Sequence, residues 1–285
     1  MSTLRLLFLG DVVGDVGIYA IESALPALKE ELAVDFCVVN TENSHQGRGL
    51  NERQVRRMFK AGADVQTGGD HSFDKHLIFG YLNNEPNLLR PMNYPKNVPG
   101  KGFGIYASAS AGVEIGIINL RGLTFFNNPI ANPLVVADAA IREISNFTNL
   151  IFVDFHAEAT AEKLALARYL DGKVSAICGT HTHVQTGDER VLPGGTGYLT
   201  DAGFSGPHDG VIGFDKDVAI DRMLMQIPRK TELATGDARL QGALFELDTE
   251  TGKCLKITRI DHPVSDEDIK AAEKAHEELV EASGN

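Results

Sequence analysis

"VSAICGTHTH" (residues 174–183) is an apolar run that stops at a glycine and ends in two histidines. An unbroken run of this kind reads as a strand covered on both faces, as in a parallel sheet flanked by helices. In an extended segment, residues two apart point to the same side, so His181 and His183 can reach one site. The same unit recurs elsewhere. "LRLLFLGD" (4–11), "VDFCVVNTEN" (34–43), "ADVQTGGDH" (63–71) and "NLIFVDFHAE" (149–158) each pass from an apolar strand to a polar cluster.

Helical periods separate these strands. Ile18, Ile21, Leu25, Leu28 and Leu32 predict a helix over residues 15–32, which Pro26 should bend or end early. Asn51 caps a helix running to Lys60. Further helices are expected over 73–83, which takes in Asp74 and Lys75, and over 134–145 and 158–170. Glycine and serine breaks in residues 102–122 suggest antiparallel strands, and the Thr-Gly-Lys turn at 251–253 closes a hairpin. The alternation predicts an α/β protein of mixed sheets with helices outside them. The main body is expected over residues 1–264, with a charged, Ala-rich helical extension over 265–285 capped by Ser265. That extension can pack on the body or on another subunit, so a homo-oligomer is among the expected assemblies.

Composition narrows the function. The chain has 285 residues, 43% of them apolar, and a net charge of -12. Few cations are available to neutralise phosphates, so long nucleic acids are not expected as partners. The cysteines, Cys37, Cys178 and Cys254, are odd in number and far apart. They read as small buried hydrophobes in a reducing compartment, and a cytoplasmic location is expected. No apolar run is long enough to cross a membrane, and the N-terminus lacks a signal-peptide core.

In an open α/β sheet, ligands gather beyond the carboxyl ends of the strands. Five polar clusters would meet there. Asp11, Glu42, Asn43, Asp70, His156, His181 and His183 supply oxygen and imidazole nitrogen without a thiolate, a set that suits Mn, Fe or Zn. Each has an ordinary reading alone: Asp11 as a turn residue, Glu42 and Asn43 as loop polarity, His156 as a satisfied buried histidine. Together they read as a metal site.

"GDVVGDVG", "NTENSHQGRGL", "GGDHSFDK", "VDFHAEATAEKLAL" and "GTHTHVQTGDERVLPGGTGYLTDAGFSGPHDGVIG" resemble, in order from about Leu4 to Arg259, the YmdB-like calcineurin-type metallophosphoesterases. The resemblance implies a four-layer α/β/β/α sandwich and hydrolysis of 2′,3′-cyclic nucleotides or related small phosphoesters. It implies two divalent or mixed-valence metal ions, iron or manganese, with zinc and magnesium as further candidates. Asp11, Glu42, Asn43 and His183 would hold one ion, and Glu42, Asp70, His156 and His181 the other, with Glu42 bridging. A metal-bridging hydroxide would attack phosphorus, and His71 would be the proton donor. In the loop from Thr200 to Gly213, Asp201, Ser205, His208 and Asp209 are candidates to line the substrate site or support the ligands.

One residue departs from the pattern. The family's usual word is "GNH", and this chain has "GDH", which adds a charge at Asp70. Tighter cation retention and weaker Lewis acidity are expected. Two other readings use the same centre: a phosphomonoesterase or nuclease, and a low-turnover metal-bearing regulatory protein.

Overall fold

The computed structural model describes residues 2–283. Two sheets lie face to face, each covered on its outer side by helices. The first sheet has seven strands. It contains β1 (Thr3–Leu9), β2 (Asp11–Val12), β3 (Phe36–Asn40) and β4 (Val65–Thr67), with α1 (Gly14–Glu31) and α2 (Glu52–Ala61) in the connections. After α3 (Phe79–Asn84) the chain enters the second sheet, of six strands. Its strands are β5 (Phe103–Ser108), β6 (Val113–Arg121), β7 (Ile151–His156), β8 (Ala176–Thr180), β9 (Arg190–Val191) and β10 (Gly197–Leu199). Helices α4 (Pro133–Ile144) and α5 (Thr160–Leu170) link β6 to β7 and β7 to β8. The chain then returns to the first sheet through β11 (Phe204–Pro207), α6 (Lys216–Met225), β12 (Ala238–Asp248) and β13 (Cys254–Pro263), and ends in α7 (Asp266–Ser283).

Strand alternation builds three apolar seams. Leu4, Leu6 and Phe8 of β1 face the second sheet and meet Phe152 and Phe245, with the Phe8 and Phe152 rings 5.0 Å apart. Leu7 and Leu9 point the other way, onto Ile18, Ile21 and Leu25 of α1. In β7, Ile151, Val153 and Phe155 face α4 and α5. The layers are therefore helix, sheet, sheet, helix, as expected for the four-layer sandwich. Helix α7 lies along α1, where the His276 ring stands 6.2 Å from that of Tyr19.

Two local expectations need correction. Helix α1 runs through Pro26 without ending. Pro26 is on the exposed face, where water can satisfy the carbonyl that loses its partner. Residues 73–83 do not form one helix: a 3-10 turn at His76–Ile78 precedes α3, and Asp74 and Lys75 lie before both. Asp74 is engaged instead with His71 and Arg48, at 3.1 and 2.5 Å. The segment after His183 also carries β9, β10, β11 and α6, which sequence periodicity does not announce.

Strands β1, β3 and β4 are mutually parallel, and so are β6, β7, β8 and β10. Their carboxyl ends meet along one rim of the sandwich. Every predicted polar cluster follows one of these ends.

Candidate metal centre

Asp11 leaves β1 and is held in β2, which pairs with β11. Asn40 ends β3, and its side-chain oxygen accepts from the Glu42 backbone, turning that carboxylate into the rim. Gly68 and Gly69 follow β4. A Cβ on Gly69 would stand 2.0 Å from Glu42 Oε2 and 2.5 Å from His156 Nε2, so only glycine lets this backbone pass so close. His156 ends β7, while His181 and His183 follow β8 with φ of 98° and 60°. The two histidines therefore approach the site from a turn and not from the extended segment that the sequence suggests; left-handed backbone is unfavourable for such residues and needs support from the surroundings.

Ligand atoms of Glu42, Asp70, His156 and His181 lie within 4.8 Å of one another. His156 Nε2 is 3.0 Å from Glu42 Oε1 and 3.1 Å from Asp70 Oδ1. Asp11, Asn43 and His183 form the adjacent group. His183 Nε2 is 3.1 Å from Asp11 Oδ2 and 3.2 Å from Asn43 Nδ2. The Asn43 amide also reaches Glu42 Oε1 at 3.3 Å, so Glu42 belongs to both groups. The structure thus brings all seven sequence-predicted ligands together.

The partners of the histidines aim their lone pairs inward. His183 Nδ1 donates to the Ile212 carbonyl at 3.0 Å, which leaves Nε2 as the acceptor facing Asp11. Thr180 donates its hydroxyl to Asp154 Oδ1 at 2.8 Å, so its oxygen accepts from His156 Nδ1 at 3.0 Å. His156 Nε2 then faces the acids. His181 presents Nδ1 inward, because Nε2 donates to Glu158 Oε2 at 2.9 Å. Such outer partners set the tautomer of ligating histidines.

Electrostatics favour positive charge here. Burial opposes a charged His156, but the Glu42 carboxylate and the Asp70 and Glu42 hydrogen bonds raise its pKa well above the usual imidazole value. The same balance, led by Asp11, raises His183. Burial opposes ionisation of Asp11 and Asp70 as well, yet their histidine partners hold both carboxyls below the usual range. Asp11 Oδ1 and Asn43 Oδ1 are buried with no hydrogen-bond partner. Orphaned oxygens beside inward-facing imidazoles fit divalent cations of the iron, manganese or zinc kind.

His71 stands at the mouth. Its backbone donates to Glu42 Oε2 at 3.2 Å, and its ring Nδ1 is 3.1 Å from Asp74 Oδ2. With Nδ1 held by Asp74, Nε2 is the atom left for a ligand. His71 and Arg48 form the wall between two clefts, of about 690 and 530 Å³.

The residues of the later loop are placed differently from the ligands. Neither cleft is lined by Asp201, Ser205, His208 or Asp209. Asp209 is exposed and pairs with Lys216 at 2.7 Å. Ser205 is buried in β11. The His208 ring stacks on Phe204 at 4.0 Å, and Phe204 stacks on His183 at 5.2 Å. Asp201 is buried beneath the His-Thr-His turn. It accepts from Thr182 Oγ1 at 2.6 Å, Thr182 N at 3.2 Å and Lys163 Nζ at 2.6 Å. Lys163 was legible as a lysine on the buried stripe of α5, with Leu166, Ala167 and Leu170. Asp154 and Thr180 gave no such signal, because both sit inside runs that read as strand. Among the described residues, no helix is long and apolar enough to cross a membrane.

Known proteins are similar to this chain in sequence and in fold. The profile of a family described as "YmdB-like protein" matches residues 7–260. The chain is 45% identical over 257 residues to the 2′,3′-cyclic-nucleotide 2′-phosphodiesterase of Bacillus subtilis, covering 90% of this chain and 96% of that one. A crystal structure of a novel phosphatase from Mycoplasma pneumoniae superposes with a TM-score of 0.86 at 32% identity, over 95% of this chain and 97% of that one. A crystal structure of a hypothetical protein from Thermus thermophilus gives 0.84 at 35% identity, over 92% of this chain and all of the other.

Proposed function

The chain belongs to the YmdB-like family, and from that premise we propose that it is a metal-dependent phosphodiesterase acting on 2′,3′-cyclic nucleotides. The convergence of seven ligand side chains from five strand ends, with two buried oxygens left unpartnered, carries the reading. Asp11, Asn43, His183 and Glu42 would hold one cation, and Glu42, Asp70, His156 and His181 a second. Bound there, two cations supply Lewis acidity that activates water and neutralises phosphoryl charge.

The chain's own groups do the rest. Thr180, Glu158 and the Ile212 carbonyl keep the three imidazoles in ligating tautomers. His71 donates a proton to the departing ribose oxygen, with Asp74 orienting its ring. The two clefts flanking His71 give the nucleoside room beside the rim.

The test is direct. Protein loaded with Mn²⁺ or Fe²⁺ is assayed on 2′,3′-cyclic nucleotides, 3′,5′-cyclic nucleotides, a phosphomonoester and RNA. Turnover should be largest on the first and should vanish in His181→Ala. In His71→Ala, kcat should drop roughly 100-fold. Turnover that persists without His181 refutes the metal role, and a preference for the monoester refutes the substrate class.

A further inference from the structure

The loop between β6 and α4 is held firmly at its base. Arg121 is buried, and its guanidinium donates to the Asn128 carbonyl at 2.8 Å and to Tyr94 Oη at 2.9 Å. It also lies 4.6 Å over the Phe126 ring. The backbone amides of Leu123 and Thr124 donate to the Glu162 carboxylate at 2.7 and 3.3 Å. Phe126 in turn stands 5.1 Å from the ring of His181.

Against this anchoring, Phe125 is anomalous. It is 82% exposed and adopts φ of 67°, a left-handed conformation that is unfavourable for a bulky side chain. Burial gives it nothing in return. Anchored loops keep such strain where function uses the side chain. Phe125 lines the cleft of about 530 Å³ that also contains Asp70, His71 and His181. The volume lies within the usual range for small-ligand sites. Asn127 and Asn128 line the same cleft, and their amides offer the donors and acceptors that a base edge needs. Arg48 stands on the wall beside His71.

We propose that Phe125 is the platform on which the substrate's nucleobase stacks, with Asn127 and Asn128 meeting the base edge. The inference rests on the phosphodiesterase reading, because it places the nucleoside by its phosphate at the metal rim. It adds what that reading leaves open: how a rim of metal ligands distinguishes a nucleoside cyclic phosphate from any other five-membered cyclic phosphate. Base–aromatic stacking tolerates any base, so the site would prefer nucleosides over base-free esters without strong choice among bases.

Two arms test it on the full-length, Mn²⁺-loaded protein. In the first, kcat/KM is compared for adenosine 2′,3′-cyclic phosphate and for glycerol 1,2-cyclic phosphate, which has no base. The preference for the nucleotide should fall about 5- to 150-fold in Phe125→Ala and return in Phe125→Tyr. An unchanged preference overturns the platform. In the second arm, binding of adenosine 3′-monophosphate is measured by calorimetry. Weakening by a similar factor in Phe125→Ala, reversed in Phe125→Tyr, supports the platform, while equal binding by all three proteins, or none by the parent protein, overturns it. If the parent protein turns over neither cyclic ester, the phosphodiesterase reading fails, and the binding arm alone decides the platform.

Discussion

Lys163 and Asp201 offer a prediction in which stability and metal binding separate. Their side chains are 2% and 1% exposed, and Lys163 Nζ lies 2.6 Å from Asp201 Oδ2. Lys163→Met removes the cation and leaves a buried carboxylate. Breaking a buried ion pair costs about 3–5 kcal/mol. Asp201 keeps donors from Thr182 N, Thr182 Oγ1 and Gly203 N, so the lower end applies, about 3 kcal/mol. At about 2.1 cal/mol/K per residue, 285 residues have an unfolding entropy of about 0.6 kcal/mol/K, so Tm should drop by about 5 °C. The anchor on Thr182 survives, and Mn²⁺ affinity should change little. Asp201→Ala removes that anchor from between two histidines in left-handed conformations. Metal affinity should then fall roughly 10- to 100-fold, as for other outer-partner losses. The double change Lys163→Met with Asp201→Asn should recover part of the stability, since it leaves no unpaired charge. Thermal melting and Mn²⁺ titration calorimetry of the three variants provide the readouts. The reasoning fails if Lys163→Met weakens metal binding as much as Asp201→Ala does, or if neither variant shifts Tm.

Three further outcomes are expected. Gly69→Ala pushes Glu42 and His156 apart, so bound metal per chain, measured by elemental analysis, should fall below that of the parent protein; equal loading would show that the rim tolerates a Cβ there. Asp70→Asn removes a charge that His156 and His181 both contact, at 3.1 and 3.4 Å; Mn²⁺ should dissociate faster and the acid limb of the pH–rate profile should move down, and an unchanged profile with unchanged retention would show that Asp70 does not tune the centre. His156 and His183 have folded pKa values above the usual 6.5, so their stabilisation of the metal-free protein is present below about 6.5 and lost as pH rises through the raised values. The metal-free Tm should therefore decline above that point, while Mn²⁺ affinity rises and binding releases protons, measured by calorimetry in buffers of different ionisation heat; binding without proton release would contradict the assignment of both rings as ligands.

Much of the centre was legible because its chemistry is written at strand ends. Apolar runs such as "LRLLFLG" and "VSAICG" declare buried parallel strands, and parallel strands put their carboxyl ends on one side. The position of a ligand is then nearly a matter of counting from the last apolar residue. The groups that hold the ligands in place are not written this way. Asp154 lies within an apolar strand, where burial pushes its carboxyl up to about 7 and Asn40, Thr67 and Thr180 all donate to it. Asp74 looked like a helix residue because local spacing says nothing of a histidine three positions back turning to meet it. Phe125 reads as one more loop aromatic until its backbone angle and exposure are known.

That division has a physical cause. A parallel strand delivers the chain to one rim, and the apolar run that makes it a strand marks where the chain arrives there. Five such ends bring Asp11, Glu42, Asp70 and three histidines into one small volume, where the acids repel one another unless positive charge lies between them. The fold meets this requirement twice. Raised histidine pKa values draw protons in when cations are scarce, and fixed tautomers offer lone pairs when cations arrive. Residues outside the rim can then set orientation with little charge added to it, and the carboxylate that does so for His181, on Glu158, is half exposed to water. Thr180 does so as a neutral relay and Ile212 through a backbone carbonyl. Asp201 brings a carboxylate, but Lys163 balances it on the far side of the turn. Lys163 therefore lets Asp201 be buried as an anion, while the hold of Asp201 on Thr182 reaches the centre through hydrogen bonds and not through charge.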